Sequence, residues 1–254
     1  MTWWHAVVIL LAGVWAGTIN AVVGSGTLVT FPTLVALGYP PITATTSNAI
    51  GLVPGTISGA IGYRKELGGQ ARRLVIYGVA SFLGAIGGAL LLLKLPKDAF
   101  ETIVPVLVGL AVVLVIVQPK VSAWVAGRDD SGAPDRNRYS VLLLVLIGLI
   151  GVYGGYFTAA QGVMLMAVMG MMLSDPLQRL NGIKNVLSAI VNVVAGAIYA
   201  VVAPVDWIVV GILAVGSTAG GILGSWIGRK LPPAALRAVI VVVGVAAVIQ
   251  LVLR

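Results

Sequence analysis

The side chains that could do chemistry in this 254-residue chain are few, and they are grouped. One group is Thr43, Thr45, Thr46, Ser47 and Asn48; the other is Asn181, Lys184, Asn185, Ser188 and Asn192. Each lies downstream of a glycine-rich stretch, residues 20–27 (NAVVGSGT) and 154–162 (GGYFTAAQG). Amides, hydroxyls and one lysine are hydrogen-bond donors. Acids are missing from both groups, since Asp175 falls at a helix stop and Asp206 in a loop. Neutral donors, helix N-termini and a single cation suit an oxyanion better than a metal cation. The chain has no cysteine and one histidine, His5, so thiolate metal sites, disulfides and Ser-His-Asp catalysis have almost nothing to build on. No cofactor and no metal are expected, and the chain does not read as an enzyme.

The residues expected to meet a substrate are Asn48, Asn185, Lys184, Gly24, Ser25, Gly26, Thr46, Ser47, Gln161 and Gly162. Each also has a plainer reading. Gly24 and Gly26 suit close helix packing. Thr45, Thr46 and Ser47 can bond back to their own helix. Lys184 sits about a turn inside a helix start, where it can snorkel to the membrane interface. Asn48 and Asn185 are stronger candidates because they recur at equivalent positions. Met164, Met166, Met169, Met171 and Met172 read as gap-filling core.

The elements that must hold these groups are membrane helices. Hydrophobic residues make up 59% of the chain and charged ones 9%, against roughly 25% charged in an ordinary soluble domain. The apolar runs approach the ~20 residues that span a bilayer core. Helices are expected over 6–23, 42–63 with a kink at Pro54, 74–93, 102–117, 139–157, 180–202, 207–227 and 234–253. Two shorter apolar pieces fall at 27–37 and 163–173. No Lys or Arg precedes Arg64, so the start reads as a retained first span with Trp3 and Trp4 at the interface, not a cleaved signal. The net charge of +8 sits mostly in loops, without a basic stripe or stacking platform, which argues against nucleic acid.

The second half repeats the first. A shift of 136 places Gly84, Ile86, Gly88, Lys94, Leu95 and Pro96 on Gly220, Ile222, Gly224, Lys230, Leu231 and Pro232; a shift of 137 places Asn48 on Asn185. The expected layout is a first transmembrane repeat (1–118), a hydrophilic linker (119–138) and a second repeat (139–254). The loop holding Arg64, Lys65, Arg72 and Arg73 is basic and expected to be cytoplasmic, whereas its counterpart at 203–206 has no positive charge. Equivalent loops on opposite sides mean inverted repeats. Inversion requires an odd number of crossings per half, so the short pieces count as crossings, five in each half. The alternative is four crossings per half with re-entrant short pieces. The fold class is therefore an all-α polytopic membrane protein of two inverted repeats, each of about five helical segments with Gly-rich discontinuous helices.

NAVVGSGTLVTFP (20–32), GYPPITATTSNAIGLVPGTISGAIGYRK (38–65), GVYGGYFTAAQGVMLM (151–166) and NGIKNVLSAIVN (181–192) resemble the sulfite exporter TauE/SafE family, over nearly the whole chain. The resemblance implies a multi-pass permease of a bacterial or archaeal inner membrane for small anions of the sulfite, sulfonate or carboxylate class. It also implies secondary rather than ATP-driven transport. Lipid surrounds such a protein, and self-association as a homodimer is allowed. Gly24, Gly26 and Asn48 match the family's first motif; Gly154, Gly155, Gly162, Lys184 and Asn185 match its second. Thr27, Thr158 and Gln161 stand where the family usually has glycine. A passive channel of the same architecture and a membrane assembly factor are the alternatives.

Overall fold

The computed structural model describes residues 2–126, 139–227 and Val245. Among them all regular structure is helical: α1 (Trp3–Val22), α2 (Thr27–Ala36), α3 (Pro41–Gly51), α4 (Val53–Gly62), α5 (Ala71–Lys94), α6 (Lys97–Ala126), α7 (Val141–Tyr156), α8 (Gln161–Met172), α9 (Leu177–Val202) and α10 (Trp207–Ile227). Five of these are long and apolar enough to cross a membrane. Leu83, Val106, Val145 and Val215 are among many large apolar side chains exposed on the outside. So broad an apolar surface requires lipid around it. The chain is an all-α polytopic membrane protein.

Local chemistry sets the helix ends. The Thr2 hydroxyl caps α1 by accepting from the His5 N–H, and Ser140 caps α7 through Leu143 at 3.2 Å. The Asp206 carboxylate accepts from the N–H groups of Ile208 (3.0 Å) and Val209 (3.1 Å), opening α10. The helix expected over 42–63 is two helices joined at Leu52. Pro54 has no N–H and its ring crowds the carbonyl four residues back, so the bend falls before the proline. α6 runs to Ala126, so the first residues of the expected linker are helical. The rest of that linker, the expected helix 234–253 apart from Val245, and the repeat positions Lys230, Leu231 and Pro232 lie outside the described residues.

α1 packs on α10 and α5 on α7, through glycines that let backbones touch. A Cβ on Gly220 would lie 2.0 Å from the Val14 carbonyl oxygen, and one on Gly84 would lie 2.1 Å from that of Gly148. α1 thus meets α10, and α7 meets α5, each pairing an early element of the chain with a late one. The contacts also give direction. Leu10, Val14 and Thr18 meet Gly216, Gly220 and Gly224 in that order, so α1 and α10 run parallel. Gly51, Gly55 and Gly62 meet Leu213, Ser217 and Ser225, so α3–α4 run the same way. α9 runs against them, with Gly182 beside Tyr63 and Leu67, and Gly196 beside Ile50 and Val53. α5 is parallel to α9, with Arg73 beside Asp175 and Gly78 beside Ile190, and α7 is parallel to α5.

Candidate functional site: a polar cavity where two helix breaks meet

The glycine-rich breaks come together in the interior. The Gly162 N–H donates to the Gly24 carbonyl at 3.0 Å. Gly24 has φ +92°, and a Cβ there would lie 2.5 Å from the Gly162 Cα. A Cβ on Gly162 would lie as close to the Gly24 Cα, at 2.5 Å. Both positions therefore require glycine for contact, and Gly24 requires it for conformation as well.

Breaking α1 frees carbonyls that an apolar interior cannot leave bare. The N–H groups of Val23 (2.7 Å) and Gly24 (2.9 Å) both turn to the Ile19 carbonyl, so Asn20 loses its regular helical partner. Side chains from elsewhere take over. The Lys184 ammonium donates to the carbonyls of Asn20 (3.1 Å) and Ala21 (3.3 Å), and Asn185 Nδ2 donates to Ala21 at 3.2 Å. Gln118 Nε2 reaches the Val23 carbonyl at 3.4 Å. The Asn20 side chain accepts from the Gly26 N–H at 2.6 Å and pins the start of α2.

The second break uses hydroxyls. Thr158 Oγ1 donates to the Gly154 carbonyl at 2.7 Å, and the Tyr199 hydroxyl donates to that of Gly155. Thr158 (φ +68°) and Ala160 (φ +57°) are left-handed, at about 1–2 kcal/mol each for residues with a Cβ. Such strain gathers where a chain is held for function.

Between the breaks lies a cavity of about 270 Å³, its open mouth included. Asn20, Thr56, Thr158, Gln161, Asn185, Ser188 and Asn192 line it with Gly24 and Gly162. No carboxylate is among these residues. Gln161 is 2% exposed with neither amide atom partnered, and the buried Asn192 Oδ1 also has no partner. Buried amides in that state await a ligand or water. Lys184 stands directly behind the wall, its Cδ 3.3 Å from where a Gly24 Cβ would be.

The profile of the sulfite exporter TauE/SafE family matches residues 9–251. The chain belongs to the sulfite exporter TauE/SafE family. The probable membrane transporter protein YfcA of Escherichia coli K12 is 27% identical over 243 residues, covering 93% of this chain and 85% of that protein. A probable membrane transporter protein of Haemophilus influenzae is 23% identical over 224 residues, covering 88% and 84%. The ORF9 probable membrane transporter protein of a Sinorhizobium species is 26% identical over 147 residues, covering 58% and 54%. This TauE/SafE member is accordingly a multi-pass membrane transporter of the bacterial inner-membrane kind, and neither its family nor these relatives carry an enzyme's name.

The expected site residues of this TauE/SafE protein divide. Gly24, Gln161, Gly162 and Asn185 line the cavity. Lys184 does not snorkel: it is fully buried, bonded to carbonyls and set behind the wall. Asn48 binds α3 to α2, accepting from Thr30 and donating Nδ2 to the Thr27 hydroxyl at 3.1 Å. Gly26 packs on the Ala16 carbonyl, and the buried Ser25 hydroxyl has no partner. Thr46 donates to the Pro204 carbonyl (2.6 Å), while Ser47 Oγ accepts from the Asp206 N–H (2.9 Å). Those two therefore tie α3 to the 203–206 loop. Tyr39 lies at the same end, where burial and then the Asp206 carboxylate hold its hydroxyl above the usual range. Thr158 and Gln161 line the cavity with polar side chains, and Thr27 does not reach it.

Sequence reasoning passed over Thr56, and it left Ser188 and Asn192 out of the site. Residues 185, 188 and 192 fall on one helical face, a spacing that pointed to them. The sequence also placed Arg73 in a basic loop and Asp175 at a helix stop. Arg73 is instead fully buried in the first turn of α5, 2.6 Å from the Asp175 carboxylate in the α8–α9 connection. That pair lies at the opposite end of the molecule from the 203–206 loop, because α5 and α10 run in opposite directions.

Proposed function

We propose that this protein is a secondary transporter carrying a small anion, of the sulfite, sulfonate or carboxylate class, across the membrane by alternating access. The observation that carries the reading is Lys184. It is fully buried, and its described partners are neutral carbonyls. A cation held away from water calls for a counter-charge. An anion in the adjoining cavity supplies it, and the unpartnered amide of Gln161 stands ready to donate to it. The cavity lining brings amide and hydroxyl donors and no carboxylate, which favours an anion.

The helix directions support inverted repeats. α1 and α7 open the two halves and run opposite ways, and α1 packs on α10 of the second half while α7 packs on α5 of the first. Movement of one half against the other around Gly24 and Gly162 would open the cavity to each side in turn.

Thermal unfolding of the purified protein with sulfite, methanesulfonate, acetate and matched cations tests the reading. At least one anion should raise the midpoint and then move in proteoliposomes with saturable flux and counter-gradient accumulation. Stabilisation by cations alone would refute the anion site, and ohmic flux without saturation would make the protein a channel.

A further inference from the structure

Broken membrane helices leave carbonyls at the C-terminal half of the break, where the helix dipole is negative, and such carbonyls can coordinate a monovalent cation. In α1 they belong to Asn20 and Ala21. The Lys184 ammonium already occupies this place, 3.1 and 3.3 Å from the two oxygens. It arrives from α9, in the other half of the chain, and carries no described carboxylate with it. Asn185 Nδ2 completes the set on the Ala21 carbonyl at 3.2 Å.

We propose that Lys184 is a resident cation: a covalently tethered ammonium filling the carbonyl site at the α1 break that a mobile monovalent cation would otherwise fill. This rests on the transporter reading above and deepens it. The ammonium that balances the anion belongs to the chain itself, so the anion site forms without sodium. The ammonium also holds α9 to the end of α1, so the first and second halves are joined at the cavity through a charge. Lys184 is a positioning residue in this scheme. It acts through the α1 carbonyls and through its field, and the cavity amides make the contacts to substrate.

The test needs no substrate, so failure of the anion assignment leaves it readable. Thermal unfolding of wild type and Lys184→Ala is followed at fixed ionic strength in N-methylglucamine, sodium or n-propylammonium chloride. The last restores the atoms that the substitution removes. Wild type should unfold at one temperature in all three. Lys184→Ala should unfold lower in N-methylglucamine and regain about 3–6 °C in sodium or n-propylammonium, the rise expected at roughly ten times the dissociation constant. If the alanine variant fails to fold, Lys184→Gln, which keeps a donor to one carbonyl, gives the same readout. A substituted protein indifferent to all three cations would overturn the proposal. So would a wild type that sodium stabilises as much as it does the variant.

Discussion

The buried ion pair at the start of α5 makes an unequal prediction for its members. Arg73 and Asp175 are 2.6 Å apart with side chains 2% and 1% exposed. At an effective dielectric near 20 their attraction is about 6 kcal/mol, most of it offset by the desolvation of both groups. Asp175 has a second partner, Arg179, at 3.1 Å, whose side chain is 38% exposed. Asp175→Asn therefore removes the described counter-charge of Arg73. Among its described contacts Arg73 keeps Tyr77 (3.2 Å) and Gln70 (3.3 Å), both neutral. The expected loss is about 3–5 kcal/mol, or about 6–20 °C in midpoint for a chain of this size. Arg73→Met leaves Asp175 held by Arg179 and should cost only about 1–2 kcal/mol, through lost packing and hydrogen bonds. Arg179→Ala, a half-exposed arm, should cost less than about 1 kcal/mol. The double variant Arg73→Met/Asp175→Leu should lie above Asp175→Asn, since no unpaired charge remains. Thermal unfolding in one detergent orders the four. An Arg73→Met loss as large as that of Asp175→Asn would refute the reasoning.

Three further outcomes separate architecture from transport. Gly24→Ala and Gly38→Ala have nearly the same backbone, φ +92° and +91°, but only Gly24 faces another backbone, so Gly38→Ala should cost about 1–2 kcal/mol while Gly24→Ala yields no folded protein in size-exclusion chromatography. Gln161→Leu removes two buried unpartnered atoms and should raise the unfolding midpoint by about 2–8 °C while cutting anion flux at least tenfold (about 1.4 kcal/mol of binding); unchanged flux would remove Gln161 from the site. Asn48→Ala takes the donor from the Thr27 hydroxyl and leaves Thr30 its 3.4 Å bond to the Gly26 carbonyl, and should destabilise by about 1–3 kcal/mol, with flux per folded molecule in proteoliposomes kept within about twofold.

The interruptions were legible in the sequence because glycine clusters and polar runs stand out in an apolar chain. Equivalence in sequence did not carry equivalence in geometry. Asn48 and Asn185 match at a shift of 137, yet one braces α2 and the other borders the cavity. The difference arises in the partners: α2 presents two threonine hydroxyls to Asn48, and the end of α1 presents a bare carbonyl to Asn185. Thr56 was hidden because a hydroxyl in a glycine-rich helix, like that of Ser58 two residues on, signals nothing until a neighbouring break opens space beside it. Arg73 was misplaced for a long-range reason. A basic residue next to a loop reads as solvated until an acid far along the chain is brought against it, and no local pattern announces Asp175. Gln118 fell beyond the expected end of its helix, so its reach to the Val23 carbonyl had no counterpart in the spacing.

The two breaks meet the same need with different chemistry, and the difference bears on which anions bind. Freed carbonyls at residues 154 and 155 are satisfied by the hydroxyls of Thr158 and Tyr199, and those at 20 and 21 by Lys184 and Asn185. At a shift of 137 the counterpart of Lys184 is Ser47, which bonds the Asp206 N–H far from the cavity. Among the described residues only one half thus places a cation at the breaks. One buried positive charge balances one negative charge. A dianion would leave a net charge in an interior where an unpaired charge costs several kcal/mol. Methanesulfonate and sulfate share a tetrahedral oxyanion head and differ in charge, so they isolate this effect. Competition against a transported anion in proteoliposomes should rank methanesulfonate at least tenfold ahead of sulfate, about 1.4 kcal/mol. Sulfate competing equally well would mean that the cavity holds a second positive charge in its working state, and the balance drawn from Lys184 alone would fail.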